Sequence, residues 1–242
     1  MKRLFAAAVL AVAVLAAPAS AQMRALSDPV VPHPNPESLF TSKDPKLHRN
    51  KQAALHIQRD LLKCNKWSEA GKWLTDAYIQ HNPVAASGLE GVIYYFPQVA
   101  QRLADREAIE KLMWTYDRSL DSYNAERYAA HFTADGAFGQ TKGHDALKKM
   151  ITDLDANHKK QKAEGTDMGT MRHFTMNQYI EFTGPTTAKY HYYHQTVFGN
   201  FGRPGEKDAP KVIASGNGVD DLVKVDGKWL IKMRNVAAAT DI

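Results

Sequence analysis

The clearest pattern of apolar and polar positions lies between residues 105 and 125. Apolar side chains recur there at intervals of three, four and seven residues, which is the spacing of one face of an α-helix. They are Ile109, Leu112, Met113, Tyr116, Leu120 and Tyr123. Asp105 precedes them and is predicted to cap the helix, since an aspartate side chain can accept hydrogen bonds from the first free backbone amides. The pattern predicts a helix from Asp105 whose apolar face is turned to a core.

The chain beyond this helix changes to an alternation of apolar and polar positions. Before the change, helical spacing predicts shorter helices at 125–132 and at about 145–158, with a short strand around Phe138 between them. Alternation then predicts four long strands, at about 171–182, 187–199, 211–225 and 228–236. Dipeptides such as Asp226-Gly227 between these runs favour tight turns between antiparallel strands. The predicted order is therefore helices and one short strand, followed by an antiparallel sheet.

Residues 47–100 show the beginning of the same order in a shorter form. Helical spacing near Leu55 and at 67–74 is followed by alternation at 77–81, which predicts a strand, and by a helix at 88–96. We interpret this segment as a truncated copy of 105–237, and a chance similarity between helix-rich segments is the alternative. A copy without the long strands could not cover its own apolar faces. We therefore expect it to pack on the second copy or on a partner chain.

The first residues have the pattern of a secretory signal. Lys2 and Arg3 precede an unbroken apolar run at 4–17, and Ala19-Ser20-Ala21 supplies the small residues that a signal peptidase requires. The run is too short to cross about 30 Å of hydrocarbon as a helix. We expect residues 1–21 to be removed, so that a periplasmic or secreted protein begins at Gln22. The proline-rich residues 22–46 are predicted to be an extended lead-in.

Charge and composition narrow the function classes. The formal net charge of +5 falls to +3 when Lys2 and Arg3 are removed, and so small an excess does not indicate nucleic-acid binding. We also expect no membrane association after signal cleavage. Cys64 is the single cysteine, so no internal disulfide can form. The sequence shows no zinc-site spacing, phosphate-binding loop or serine-nucleophile motif, and we expect neither a metal nor a cofactor.

Short motifs between residues 105 and 237 resemble the SnoaL-like branch of the nuclear-transport-factor-2-like superfamily. They are Ser119-Leu120-Asp121, the segment 129–137, Arg172-His173-Phe174 with Asn177, and the segment 225–229. The segment 76–83 resembles the same family at the corresponding position of the first copy. The resemblance implies an α+β fold in which a curled antiparallel sheet and helices form a cone with a pocket inside. It also implies proton chemistry without a cofactor in those relatives that are enzymes.

The resemblance implies three catalytic candidates. Tyr116 matches the place of the oxyanion tyrosine in the ketosteroid isomerases of this superfamily, and Asp220 matches their protonated aspartate. Such a pair can donate hydrogen bonds to a developing enolate. The general-base position of those isomerases falls near Gln140-Thr141, where neither side chain can take up a proton. His173 is the third candidate, because Arg172-His173-Phe174 resembles the pocket-histidine motif of scytalone dehydratase.

Three further residues are expected to bind the substrate: Tyr123, His194 and Asn177. Asp121-Ser122-Tyr123-Asn124 resembles the segment of scytalone dehydratase that holds its pocket tyrosine, although Asn124 stands where that enzyme has an aspartate. His191 and His194 lie on one predicted strand, and a separation of three places them on opposite faces. If His194 shares the inward face with Tyr190 and Tyr192, then His194 faces the pocket.

Two functions follow from these residues. The first is a cofactor-free lyase, dehydratase or isomerase that acts by acid–base chemistry on a small, partly apolar molecule. The alternative is a ligand-binding or assembly module of the same fold that has lost its base, since fold alone does not decide function. We expect a homodimer in either case.

Overall fold

The computed structural model describes residues 27, 29, 31–166, 168–199 and 210–238. The predicted signal, residues 1–21, and the predicted mature N-terminus at Gln22 lie outside this part of the chain. The chain divides into a first unit that ends at Arg59 and a second that begins at Asp60. Among the described residues, no helix is both long and apolar enough to span a membrane.

The described part of the first unit is helical. A 3₁₀ helix covers Pro36–Phe40, and α1 covers Pro45–His56. The Asp44 side chain caps α1 by accepting hydrogen bonds from the backbone amides of Lys46 and Leu47, at 2.8 and 2.9 Å. The prediction of an extended lead-in over residues 22–46 is therefore wrong at Pro36–Phe40 and at Pro45, where α1 begins. Proline at the first positions of both helices fits a helix start, where its fixed φ is favourable and no N–H is needed.

Helices and turns follow α1 along the chain. A π-helical stretch covers Ile57–Lys63 and a 3₁₀ helix covers Trp67–Lys72, whose Trp67 ring stacks on Phe96 with 4.4 Å between centroids. The predicted strand at 77–81 is wrong, because these residues form turns and irregular backbone. Their backbone groups bond locally, as in the 2.7 Å bond from the Gly88 amide to the Tyr78 carbonyl, and no strand in the described part of the chain pairs with them.

One helix, α2, runs without interruption over Leu89–Asp121. The prediction that a new helix begins at Asp105 is wrong, because α2 already runs from Leu89 through Pro97, and residues 98–104 directly before Asp105 are mostly good helix formers. Asp105 is buried within α2 and does not cap it. Its Oδ1 accepts hydrogen bonds from Lys224 Nζ at 2.6 Å, Trp229 Nε1 at 2.9 Å and Gln101 Nε2 at 3.1 Å. Asp105 thus ties the middle of α2 to the end of the sheet.

The remaining chain forms two helices and a curled, open sheet. The helices are α3 (Ala125–Ala129) and α4 (His144–Ala163). The strands are β1 (Phe132–Phe138), β2 (Thr141–Lys142), β3 (Thr170–Phe182), β4 (Thr187–Gly199), β5 (Lys211–Val225) and β6 (Lys228–Arg234). They lie in the order β2-β1-β6-β5-β4-β3, and every neighbouring pair is antiparallel except β1 and β6. The predicted α+β fold with a curled sheet is confirmed.

Two local features set the register of the sheet. Asp226 and Gly227 connect β5 to β6 with φ values of 48° and 78°, as a two-residue turn of mirror-image type requires. The pairing of β3 with β4 shifts between Met176 and Tyr179, where Asn177 has a φ of 51°. This irregularity changes which side chains of β3 face the core.

The core lies between the sheet and α2, α3 and α4. It contains fully buried side chains from all three helices and from the strands, namely Ile109, Tyr116, Tyr128, Phe132, Leu147, Ile151, Leu222 and Ile231. Burying one large apolar side chain of this kind contributes about 1.5–3 kcal/mol to folding. The backbone of β5 approaches Tyr192 of β4 so closely that a Cβ on Gly218 would lie 2.0 Å from the Tyr192 Cζ. Glycine at 218 therefore gives the Tyr192 ring its place in the core.

Candidate functional site

His173 of β3 is held by Asp121, the last residue of α2. The backbone amide of His173 donates to Asp121 Oδ1 at 3.0 Å, and His173 Nδ1 lies 2.8 Å from the same oxygen. The side chains are 15% and 9% exposed, so the pair is mostly enclosed but reachable from outside. With its proton on Nδ1, the imidazole donates to the carboxylate and presents Nε2 as a free base. Asp121 also stabilises the imidazolium that forms when Nε2 takes up a proton.

An open cleft of ≈ 740 Å³ lies beside this pair, between α2 and β3. Asp121, His173 and the buried Tyr190 are among the residues that line it. Its rim carries large apolar side chains that are exposed, namely Trp114, Phe174 and Met176. The cleft thus combines a basic imidazole with apolar surface, which is the usual make-up of a small-molecule site.

Asp117 is a cleft residue that the sequence interpretation missed. Its Oδ2 accepts a hydrogen bond from Thr175 Oγ1 at 2.8 Å. Its Oδ1 is buried and has no hydrogen-bond partner within the part of the chain that the structure describes. Burial raises the pKa of Asp117, against the opposing effects of Arg234, Thr175 and His173. The available signal was the spacing of Asp117 and Asp121, because a separation of four places both carboxylates on one face of a helix.

Asp220 and Tyr116 lie in the core, on two sides of Arg234. The Asp220 carboxylate is fully buried and forms an ion pair with Arg234 at 2.5 Å. It also accepts hydrogen bonds from the Tyr192 hydroxyl at 3.1 Å and from the Asn235 amide at 3.2 Å. The Arg234 guanidinium lies over the rings of Tyr116 and Tyr192, 4.1 and 4.8 Å from their centroids. This arrangement satisfies a buried cation by an anion and two aromatic faces.

The pair of donors expected from Tyr116 and Asp220 is therefore absent from the cleft. The Tyr116 hydroxyl shares a 3.0 Å hydrogen bond with the Tyr128 hydroxyl, and burial raises its pKa well above the ordinary value. Burial raises the pKa of Asp220 to about 6, against the pull of Arg234, so the pair is ionised at neutral pH. Neither residue lines the cleft that contains His173. Sequence reasoning missed Arg234, because nothing in the pattern of the last strand marks an inward cation.

The three residues expected to bind substrate lie in different places. The Tyr123 ring stacks on His158 at 5.3 Å between centroids, with a φ of 53° and a buried hydroxyl that has no partner in the described residues. His194 is on the inward face with Tyr190 and Tyr192, as predicted. Its Nε2 donates to the Val236 carbonyl at 2.9 Å in the tautomer that this contact requires.

Asn177 is exposed at the irregularity of β3 and does not line the cleft. The left-handed backbone at this position interrupts the alternation from which an inward side chain would be expected. His191 lies on the outer face, as predicted, where its Nε2 is 3.1 Å from Glu181 Oε2. The structure thus gathers His173, Asp121 and Asp117 at the cleft, and it leaves Tyr123, His194 and Asn177 outside its lining.

The described residues contain no group of three His, Cys, Asp or Glu side chains that could hold a metal ion. Besides His173, Asp117 and Asp121, the lining of the cleft includes the charged residues Glu107, Glu110, Lys111, Arg118 and Arg172.

The chain is similar to a known protein family and to several solved structures. A family model of SnoaL-like domains matches residues 101–235, and a comparison with curated proteins gave no match. A solved structure named as a candidate scytalone dehydratase, from Novosphingobium aromaticivorans, is 26% identical, with a TM-score of 0.43 over 56% of this chain and 85% of the other.

Two further solved structures are similar in fold. An NTF2-like protein with a cystatin-like fold from the same organism is 20% identical, with a TM-score of 0.47 over 60% of this chain and 88% of the other. ActVI-ORFA from Streptomyces coelicolor is 20% identical, with a TM-score of 0.45 over 55% of this chain and 95% of the other.

Proposed function

Because the chain belongs to the family of SnoaL-like domains, we propose that it is a cofactor-free enzyme that moves protons on a small, partly apolar molecule. The observation that carries this proposal is the His173–Asp121 pair at the side of an open cleft. The reaction class is a lyase, dehydratase or isomerase reaction that begins with the removal of a proton from carbon. Since the sequence predicts export, the proposal places this reaction in the periplasm or outside the cell.

The His173–Asp121 pair fits the role of a general base. Asp121 fixes both the backbone and the ring of His173, so that Nε2 stands in one orientation. A neutral imidazole can then take a proton from a carbon next to a carbonyl group, and the carboxylate stabilises the resulting charge. A positioned base of this kind contributes typically about 10²–10⁴-fold to a rate.

The rim of the cleft supports a partly apolar substrate. The exposed fractions are 63% for Trp114, 46% for Phe174 and 39% for Met176, so these side chains contribute little to the core. A ligand that covers them would remove apolar surface from water, at about 25 cal/mol per Å².

The alternative is a binding module without chemistry, and one observation favours it. Tyr116 and Asp220, which were expected to stabilise an oxyanion, bond instead to Tyr128 and Arg234 in the core. Under this alternative, the cleft would hold a ligand and His173 would serve only as a hydrogen-bond partner.

Deuterium exchange separates the two functions. We would incubate 2-tetralone, an apolar ketone with acidic carbon-bound protons, with the protein in D₂O and follow the loss of these proton signals by NMR. The proposal requires exchange faster than in buffer, and a fall of about 10²-fold or more towards the buffer rate in His173→Gln. His191→Gln, on the outer face of β4, is the matched control and should exchange like the wild type. Binding of 2-tetralone without faster exchange would support the alternative.

A further inference from the structure

Asp117 is a buried carboxyl group in the cleft that the His173–Asp121 pair does not use. We propose that Asp117 is a second catalytic residue, which holds a proton in the free protein and donates it to a neutral oxygen of the ligand. This inference rests on the proposed function and extends it. It names the chemical class of the reacting group as a ketone or similar carbonyl compound.

Asp117 lies in the same cleft as His173. It lies one turn before Asp121 on α2, among the residues that line the cleft together with His173 and Tyr190. Thr175 of β3 donates to Oδ2 at 2.8 Å and thereby fixes the plane of the carboxyl group. Oδ1 is left without a hydrogen bond from any described residue. A ligand oxygen that reached the buried Oδ1 would be the acceptor for a carboxyl proton there.

The charges around Asp117 come from every element packed against it. Asp121 is on its own helix, His173 is on β3, the Tyr190 phenol is on β4 and Arg234 is on β6. Arg234 is already paired with Asp220, and His173 is already paired with Asp121. Burial and the negative charge of Asp121 both disfavour the ionised form of Asp117, so Asp117 keeps its proton more firmly than an exposed aspartate.

The proton transfers balance for a ketone. His173 Nε2 takes a proton from the carbon next to the carbonyl group, and the electron pair of that C–H bond forms a carbon–carbon double bond. The carbonyl π electrons move to oxygen, which takes the proton from Asp117, so that an enol is formed. The site then holds an imidazolium and a carboxylate, and the reverse transfers regenerate the ketone.

Carbon-13 NMR of protein labelled at aspartate carboxyl carbons tests the protonation directly. Asp117→Asn identifies the Asp117 resonance by its loss, and a cooperative thermal transition shows that this variant is folded. We expect that resonance to titrate above the ordinary aspartate pKa of about 3.9. Thr175→Val should raise the midpoint further, and it provides the assignment if Asp117→Asn does not fold. An Asp117 resonance that titrates at or below the ordinary aspartate pKa would overturn the inference.

The pH profile of 2-tetralone exchange tests the role. In the wild type, the rate should fall at high pH as Asp117 loses its proton. Asp117→Asn should lower the maximum by about 10²-fold or more and remove the fall at high pH. Unchanged exchange in Asp117→Asn would refute its catalytic role while leaving His173 intact. Unchanged exchange in His173→Gln, with Asp117 still protonated, would refute the proposed function instead.

Discussion

The guanidinium of Arg234 and the carboxylate of Asp220 form an ion pair that the folded chain encloses almost completely, with side chains 5% and 0% exposed. The guanidinium also lies against the rings of Tyr116 and Tyr192. The core between the sheet and the helices therefore contains a charged pair and aromatic rings. The proposed chemistry lies to one side of it, at the cleft between α2 and β3.

Asp220→Asn should destabilise the protein by about 3–5 kcal/mol at pH 7, because it leaves a buried guanidinium without its anion. A raised pKa for Asp220 by itself suggests a neutral or stabilising effect, since burying the carboxylate is costly. Leaving Arg234 unpaired costs more, and an amide cannot accept from Arg234, Tyr192 and Asn235 as the carboxylate does. Urea unfolding measures the difference. Asp221→Asn, at the exposed pair with Lys189, is the control and should have a much smaller effect.

Asp105→Asn should reduce stability at neutral pH by about 1–3 kcal/mol, the typical value of hydrogen bonds to a charged group. Burial acts to raise the pKa of Asp105, but hydrogen bonds from Lys224, Trp229 and Gln101 outweigh it and lower the pKa below the ordinary 3.8. A lowered folded pKa gives stability that is present above the unfolded pKa and lost as the pH falls below it. The difference between wild type and variant should therefore shrink between pH 5 and pH 3. A difference that is constant over this range would contradict the assignment.

Tyr116→Phe should leave the exchange of 2-tetralone within about threefold of the wild-type rate. The phenol hydroxyl bonds to Tyr128 and not to the cleft, and the ring of phenylalanine can still cover Arg234. Loss of the single hydrogen bond should cost about 1 kcal/mol of stability. A fall in exchange of about 10²-fold would show instead that Tyr116 acts on the ligand, as its place in the sequence suggested.

Gly218→Ala should destabilise by about 1–3 kcal/mol, because its Cβ would overlap the Tyr192 ring and force this ring out of its place. Displacing Tyr192 also disturbs its bond to Asp220 and its contact with Arg234. Gly216→Ala is the comparison on the same strand, where the nearest atom is His194 Nε2 at 3.0 Å. Melting temperatures of the two variants should differ, with Gly216→Ala closer to the wild type.

Regular periodicity explains which features the sequence could predict. Alternation along β4 correctly placed His194 inward and His191 outward, because side chains of a strand point to opposite faces in turn. Asn177, which was expected at the pocket from its motif, is exposed at the irregularity of β3. The helical spacing around Tyr116 predicts a helix that the structure contains. The start of that helix is predicted wrongly, because Asp105 is a buried acceptor for distant donors and not a cap.

The candidate site was predictable only in part. His173 could be identified from its motif. Asp121 and Asp117 contact β3 only in the folded chain, because Asp121 is 52 residues from His173 in the sequence. The inward guanidinium of Arg234 was equally hidden, since its partner Asp220 is on the neighbouring strand and the pairing of β5 with β6 shifts after Asp221. Contacts of this kind depend on register, which a single sequence does not show.

The unbroken course of α2 restricts how this protein can change in evolution. One helix carries Asp105, which is tied to the end of the sheet, and Asp117 and Asp121, which face β3. Each residue added to an α-helix turns everything beyond it by about 100°. An insertion or deletion between Asp105 and Asp117 would therefore turn both acids away from Thr175 and His173. Homologues that keep the cleft should vary in this segment by substitution and keep its length.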